Sequence, residues 1–490
     1  MRPAVVDPRI VGWLLGQFVT ALAVAMLVPL GCGLFSGGGG ADLRALTLSI
    51  AITAASGGCL LALSRGRQAR EIRPREAILV VVVVWMCICL FGCLPFYFSP
   101  WYPDFTDAFF ESASGFTTTG ATVLDRVEVL SCPIQLWRCF SHWLGGMGIV
   151  LLGLAILPLV GQGGMHLYRA EFSGAKSQRV TPRVLETTKA LWKIYFLLTL
   201  LEVLALWLAG MDGFEAVCQS FSTLSTGGFS TRTASIAGFG SPVIEYIVIV
   251  FMLLGGMSFI QHYRLWIERQ PRRVWGDYEL RTYLLLVLAA TAVITGVLVW
   301  KNHLDMEPAF RGALFQVTSI LTTTGFVTDD YSRWYPLCQL ALLMLMFVGG
   351  CTGSTSGGIK VARMLFLSRV VDREFRRMAE PQGVFTIRLG GETTPEPAVN
   401  GLLNLVYLAW LVIIFAWLLL TATGVDILTA LSAVVTCVFN VGPGLGGVGP
   451  THSFGHLPQM AKWILSLSMI AGRLEFYTLL VILTPPFWQR

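Results

Sequence analysis

Continuous apolar runs of about 20 residues recur along this chain, among them 77–98 (with Val80 to Val84), 190–210, 242–262 and 400–422. As helices, runs of that length match the hydrocarbon thickness of a bilayer, whereas barrel strands would be shorter and would alternate in and out. Helices also satisfy their backbone polar groups internally, which lipid demands. The composition agrees: of 490 residues 54% are hydrophobic and only 13% charged, against about 25% charged in soluble domains. So little charge cannot cover a water-soluble globule of this size. Disorder, a coiled coil and a soluble multidomain enzyme are excluded, and the chain reads as an all-α polytopic membrane protein.

Ten spans are expected, near 11–33, 44–64, 77–98, 137–160, 190–210, 242–262, 282–300, 337–359, 400–422 and 462–484. The net charge of +6 is not a nucleic-acid signal, because the basic residues alternate by loop. One side carries Arg2 and Arg9, then Arg65, Arg67, Arg70, Arg73 and Arg75, then Arg169, Lys176, Arg179, Arg183 and Lys189. The same side gathers Arg264 to Arg281 and Lys360 to Arg388, while the other holds only Arg126, Arg232, Lys301, Arg311 and Arg333. The positive-inside rule places both termini in the cytoplasm, as an even number of spans requires. The apolar stretch from Ile10 exceeds a signal-peptide core and no small-residue cleavage site follows, so it is read as a retained span. The 11 cysteines are scattered as small hydrophobes, although Cys132 and Cys139 lie near the outer surface with a pairing open to them.

The outer loops contain an internal repeat. Four clusters align on a glycine: Thr117-Thr118-Thr119-Gly120, Ser225-Thr226-Gly227-Gly228, Thr322-Thr323-Thr324-Gly325 and Phe439-Asn440-Val441-Gly442. Other columns then agree without having been used. Twelve residues before each glycine stands Ala108, Ala216, Ala313 or Ala430, and six before stands Ser114, Ser222, Ser319 or Thr436. Sixteen before stand Asp104, Asp212 and Asp426, good N-caps for a short helix, with Ala309 breaking the rule in the third copy. The following span brings a small pair each time: Gly145-Gly146, Gly255-Gly256, Gly349-Gly350 and Ala471-Gly472, residues that let helices approach closely in lipid. The expected plan is two extra helices in 1–70 and four units of span, pore helix, filter and span: 71–165, 166–275, 276–398 (with a cytoplasmic linker) and 399–490.

A cation in the bilayer core needs oxygens to replace its water, and backbone carbonyls supply them without a charge that would trap it. Glycine reaches the required backbone conformations freely, and the short helix aims its negative C-terminal end at the ion path. The clusters hold no Asp or Glu, which argues against a divalent site built on carboxylates. A monovalent cation, potassium foremost, fits best. One glycine per copy also implies fewer ordered ion sites than a long filter provides, hence looser discrimination.

At these residues the chain resembles the Trk/Ktr/HKT superfamily of potassium transporters over nearly its whole length. Phe116-Thr117-Thr118-Thr119-Gly120-Ala121-Thr122, Thr322-Thr323-Thr324-Gly325-Phe326 and Asn440-Val441-Gly442-Pro443-Gly444-Leu445-Gly446 look like that superfamily's filter motifs, and the two extra spans favour its Trk branch. The resemblance implies four pseudo-symmetric units around one pore, in the inner membrane of a bacterium. It puts the filter at Thr118, Thr119 and Gly120; Thr226, Gly227 and Gly228; Thr323, Thr324 and Gly325; and Asn440, Val441 and Gly442. Potassium would lie at Thr118, Thr119, Thr226, Gly227, Thr323, Thr324, Asn440 and Val441. It further implies a homodimer and a cytoplasmic regulatory ring that binds NAD(H) or ATP, with no cofactor in this chain. The fourth copy departs most, with Phe439 and Val441 where the others carry hydroxyl or small residues.

Two further features match that superfamily's gate. The glycines and hydroxyls from Gly349 to Gly358, including Gly350, Thr352, Gly353, Ser354, Thr355 and Gly357, are tolerable at membrane depth where they line a watery cavity; the alternative is a tightly packed small-residue helix. Arg473 sits among apolar residues of the last span, and a buried arginine there is a functional candidate by default; the alternative is a structural contact between helices. Glu475 is two positions on and on another face, so the loop's carbonyls and hydroxyls are the expected company. In the pore helices Glu111, Gln219 and Gln316 share a column, either to brace the filter backbone or to satisfy one another.

Other motif matches fail. Gly442 to Gly447 spells G-x-G-x-x-G with no strand or βαβ unit around it. Gly353 to Lys360 misses a phosphate-binding loop because Ile359 displaces the lysine by one. His452 and His456 lie among Pro and Gly, a poor setting for a helical metal pair. An intramembrane enzyme would need clustered carboxylates or a nucleophile–base pair within the spans. A symporter coupling potassium to protons or sodium stays as the rival, weighed down by the few ionisable residues at the midplane.

Overall fold

The computed structural model describes residues 6–36, 39–64, 72–156, 181–389, 392–394 and 396–489. Of the charge pattern, Arg2, Arg65, Arg67, Arg70, Arg169, Lys176 and Arg179 lie outside these residues. The described chain is helical apart from one two-residue antiparallel ribbon, Arg388–Leu389 with Glu392–Thr393.

Six helices among the described residues are long and apolar enough to cross a bilayer: Pro8–Phe35, Gly40–Leu63, Pro74–Tyr97, Thr188–Leu208, Tyr278–Lys301 and Glu396–Ala422. Their outward faces carry large apolar side chains such as Leu204, Trp207, Leu288, Val293, Phe415 and Leu418, left exposed by the protein itself. That is an aggregation hazard in water and the normal solvent contact in lipid. The span expected at 137–160 begins in the helix Cys132–Ile156.

Two spans expected to be continuous are broken, and a third stops where the glycine-rich segment begins. Pro242–Gly256 and Phe259–Trp266 meet at a 99° bend, and Gln459–Arg473 and Tyr477–Leu483 at 109°. Pro336–Val348 stops at Gly349, whose φ is +78°. The first two breaks follow a small-residue pair, and the third begins at one. A hydropathy window averages across such a break, because one or two residues outside the helical region leave the apolar content unchanged.

Between the spans, four short helices descend into the protein: Phe105–Phe116, Gly213–Leu224, Met306–Leu321 and Ile427–Val438. Ala108, Ala216, Ala313 and Ala430 are fully buried on them. Three begin as expected, with Asp104, Asp212 and Asp426 accepting hydrogen bonds from Asp107 N (2.9 Å), Phe214 N (3.0 Å) and Thr429 N (3.0 Å). The third helix is 16 residues long where the others have 12, so its N-cap moves back to Asp305, whose side chain makes no capping bond. Ala309 therefore sits inside the helix and breaks no rule. A bonded cap contributes about 1 kcal/mol. Asp426→Ala is expected to lower the melting temperature of the purified protein, and Asp305→Ala to leave it unchanged; equal shifts would refute this account of the caps.

Cys132 and Cys139 are both free thiols; Cys132 is exposed, whereas Cys139 is buried in a cluster with Cys218 and Phe229. The pairing left open for them does not form. Seven residues put the two thiols on one helix face but two turns, about 10 Å, apart, beyond the reach of a disulfide.

Candidate functional site

Each short helix ends in the same turn. Thr118, Thr226, Thr323 and Asn440, two residues before the aligned glycines, have φ of 54°, 54°, 57° and 55°. The next amides reach back to the column of hydroxyl residues: Thr119 N to Ser114 O (2.9 Å), and Gly227 N, Thr324 N and Val441 N to Ser222 O, Ser319 O and Thr436 O (2.8 Å each). The column noticed for its hydroxyls thus works through its carbonyls. Gly120, Gly228, Gly325 and Gly442 follow at φ of 81°, 85°, 78° and 99°. Left-handed backbone costs a non-glycine residue about 1–2 kcal/mol. Asn tolerates it, and the three threonines are held there by the back-bonded turn.

The glycines close a ring. A β-carbon on Gly120 would strike Gly227 O, one on Gly228 would strike Thr324 O, one on Gly325 would strike Val441 O, and one on Gly442 would lie 2.5 Å from Thr119 O. Each copy's glycine therefore abuts the carbonyl of the next copy, and the fourth returns to the first. Side chains stiffen the ring: Thr117 Oγ1 and Thr119 Oγ1 are 2.8 Å apart, and Thr322 Oγ1 and Thr324 Oγ1 2.7 Å. Asn440 Nδ2 donates to Thr119 Oγ1 (2.9 Å) and Met469 O (3.1 Å). The fourth copy therefore contributes a side chain as well as backbone.

The column of Glu111, Gln219 and Gln316 braces the segments leaving the ring, and its members do not satisfy one another. Glu111 accepts from Val123 N (3.1 Å) and Thr122 Oγ1 (2.9 Å); Gln219 Nε2 donates to Ser230 Oγ (2.8 Å), and Gln316 Nε2 to Thr328 Oγ1 (3.5 Å). In the fourth copy that position is Ala433, and the neighbouring Ser432 holds Leu445 instead, accepting from its amide at 2.7 Å.

The small-residue segment is a loop between Pro336–Val348 and Val361–Ala379, packed against the ring. Gly357 N donates to Thr323 Oγ1 (2.7 Å), Thr226 Oγ1 to Thr355 Oγ1 (3.2 Å), and Thr355 Oγ1 to Leu224 O (3.0 Å). Arg473, 3% exposed at the end of its helix, donates from Nη1 to Thr355 O (2.9 Å) and from Nη2 to Gly145 O (3.2 Å). Loop carbonyls and span backbone are its company. Glu475 instead pairs with Arg363 at 3.0 Å.

Spacing alone missed four participants. Glu279 Oε1 accepts from Thr352 N (2.6 Å) and Ala362 N (3.2 Å), tethering both ends of the loop. Lys462 and Asp107 form a buried pair at 2.5 Å. Lys360, expected among the cytoplasmic cations, is instead buried, with Nζ donating to Ser356 O and to Ser356 Oγ; its φ of 85° turns the chain at the start of the next helix and folds the ammonium under the loop. Glu279→Ala removes two acceptor contacts and leaves Cys351, 2% exposed in the same loop, less protected. In a variant retaining only Cys351, maleimide labelling is expected to rise about tenfold, the size of two lost hydrogen bonds. Unchanged labelling would show that the tether does not hold the loop.

His456 Nδ1 lies 2.9 Å from Ser453 O, and no group of three metal-ligating side chains occurs among the described residues.

Residues 43–488 match the TrkH family of cation transport proteins. The Trk system potassium uptake protein TrkH of Salmonella typhimurium is 42% identical over 485 residues, spanning 98% of both chains, and that of Escherichia coli K12 is equally similar. The chain belongs to the TrkH family. The crystal structure of the potassium transporter TrkH from Vibrio parahaemolyticus superposes with a TM-score of 0.91 at 37% identity, covering 99% of this chain and all of that one. Membership places the chain among multi-pass membrane transporters and not among enzymes, and the all-α fold expected from the apolar runs is that of the family.

Proposed function

We propose that this TrkH-family chain is the potassium-uptake membrane subunit of a Trk system and conducts through a single central pore. Units 71–165, 166–275, 276–398 and 399–490 surround the pore, and 1–70 adds two peripheral helices. The closed ring, in which each copy's glycine abuts the Thr119, Gly227, Thr324 or Val441 carbonyl of its neighbour, carries this reading, because backbone oxygens supplied by four copies around one axis are what a dehydrated monovalent cation requires. The filter comprises Thr118 to Gly120, Thr226 to Gly228, Thr323 to Gly325 and Asn440 to Gly442. The loop of Gly350, Thr352, Gly353, Ser354, Thr355 and Gly357, together with Arg473, is the gate beneath it.

The protein works in the inner membrane of a bacterium with both termini cytoplasmic, as a homodimer. A cytoplasmic ring binding NAD(H) or ATP controls it. Val361–Ala379 supports that control, since it runs directly on from the gate loop and would transmit a push from its basic surface. Single-channel recording of purified protein in a planar bilayer tests the reading. Unitary currents are expected; strictly coupled flux without them would favour a symporter. Bi-ionic conditions test the looser discrimination expected of a one-glycine filter, and a potassium-over-sodium ratio equal to that of long-filter channels would contradict it.

A further inference from the structure

Four copies of one unit provide an internal control on what each position needs for packing. Glu111 occupies a column filled elsewhere by Gln219, Gln316 and Ala433. Arg138 stands seven residues before Gly145, and the matching residues before Gly255, Gly349 and Gly472 are Val248, Leu342 and Leu465. The register is structural: Gly145, Gly255 and Gly472 face the carbonyls of Phe116, Leu224 and Val438, each four residues before its ring glycine. All four side chains in this second column are buried. Aliphatic residues fill it three times, so close packing alone does not call for an arginine.

In the first copy both positions are charged and joined. Arg138 Nε lies 2.5 Å from Glu111 Oε1, with the side chains 2% and 0% exposed. A buried ion pair is often no more stabilising than apolar residues of similar volume, because desolvating two charges offsets their attraction. Its distinguishing property is directional bonding. Glu111 holds Thr122 and Val123, just past Gly120. Arg138 Nη1 donates to Ser230 O (2.9 Å), two residues past Gly228, and its guanidinium lies 3.7 Å over the Phe229 ring. Phe229 in turn stacks on His142 at 4.1 Å, and that imidazole packs against Gly227. One pair therefore clamps the segments leaving the ring in two adjacent copies. In the third copy the matching column gives only the 3.5 Å contact of Gln316. The segment there is held otherwise, by the Ser319 hydroxyl on Phe326 O (2.7 Å) and by Ser235 Oγ on Val327 N (3.1 Å), with no ion pair at that place among the described residues.

We infer that the Glu111–Arg138 pair is a specificity-determining brace, fixing the spacing between the first and second quadrants of the filter and thereby the preference for potassium over sodium. The inference rests on the filter reading of the ring. A smaller ion is rejected only if the carbonyls cannot close in on it, and this clamp resists that collapse on the Gly120–Gly227 side. Arg138 and Glu111 touch no ion in this scheme; they are positioning residues.

The test is the potassium-over-sodium permeability ratio of full-length protein in bilayers under bi-ionic conditions. Glu111→Gln/Arg138→Leu places at both positions the residues of the third copy, Gln316 and Leu342, each of which is buried there. It is expected to fold and conduct, with the ratio reduced about three- to tenfold, the worth of one or two hydrogen bonds to the strand. Arg138→Lys keeps a charge opposite Glu111 but cannot span to Ser230 as well, and is expected to lower the ratio by less. Gly325→Ser serves as the reference for the filter itself. A wild-type ratio in the double variant, with a lowered ratio in Gly325→Ser, overturns the brace alone; wild-type ratios in both overturn the filter reading. Failure of both Arg138 variants to give folded protein would make the pair a requirement of assembly and equally overturn the inference.

Discussion

Arg473→Ala protein, reconstituted in liposomes without a cytoplasmic partner, is expected to pass rubidium about ten- to a thousandfold faster than wild type. The guanidinium bonds Thr355 O on the loop and Gly145 O on the facing span, and on the proposed gate reading it staples the loop across the ion path. On the same reading it would also repel the ion. A unit charge about 4 Å away costs about 4 kcal/mol at an effective dielectric constant near 20. Its place at the C-terminus of Gln459–Arg473 holds the charge there favourably, since that helix end is the negative one. Truncation removes staple and charge together, and deletions within 350–357 should act the same way. Arg473→Lys, which keeps the charge, is expected to stay near wild type. A structural arginine predicts the reverse, poor expression and lost flux, because its removal strands buried carbonyls. Flux at or below wild type in well-folded Arg473→Ala would end the gate assignment.

The features legible in the sequence are those that repetition multiplies. One aspartate before an apolar stretch says little, but three in register with a fourfold alanine column located the short helices and their caps. The left-handed threonines were hidden, because a Thr-Thr-Thr-Gly run announces its glycine while Thr118 and Thr323 look ordinary. The brace and the tethers were hidden for another reason. Glu111 meets Arg138 across 27 residues, Glu279 meets Thr352 across 73, and Asp107 meets Lys462 across 355. The first two pairs form only when a unit folds its span back on its pore helix or loop, and the third only when the first and last copies meet. Their signal, in retrospect, is a charged residue in a column where its repeats are aliphatic or neutral, as at Arg138.

Substitution at the ring glycines is expected to abolish selective uptake in an order that the geometry sets. At Gly325, Gly228 and Gly120 an added β-carbon would land deep inside the neighbouring carbonyl, and Gly442 has the most room, at 2.5 Å. The obstacle is backbone in every case, so no side chain can swing away. The positive φ adds its own penalty, since left-handed backbone costs an L-residue about 1–2 kcal/mol. The ring relieves both by widening, and a wider ring no longer replaces the water of potassium with oxygens at one spacing. Helix packing elsewhere is untouched, so membrane expression should persist. Rubidium uptake by Gly325→Ala and Gly228→Ala is expected to fall about ten- to a hundredfold, the effect of a few kcal/mol of strain at the site. Gly120→Ala should fall about as far, and Gly442→Ala least. Uptake and expression have to be measured on the same membranes, because a folding defect would lower both together. Wild-type uptake and selectivity in all four variants would remove these residues from the ion path, and equal losses in all four would mean that the contacts around the ring do not govern it.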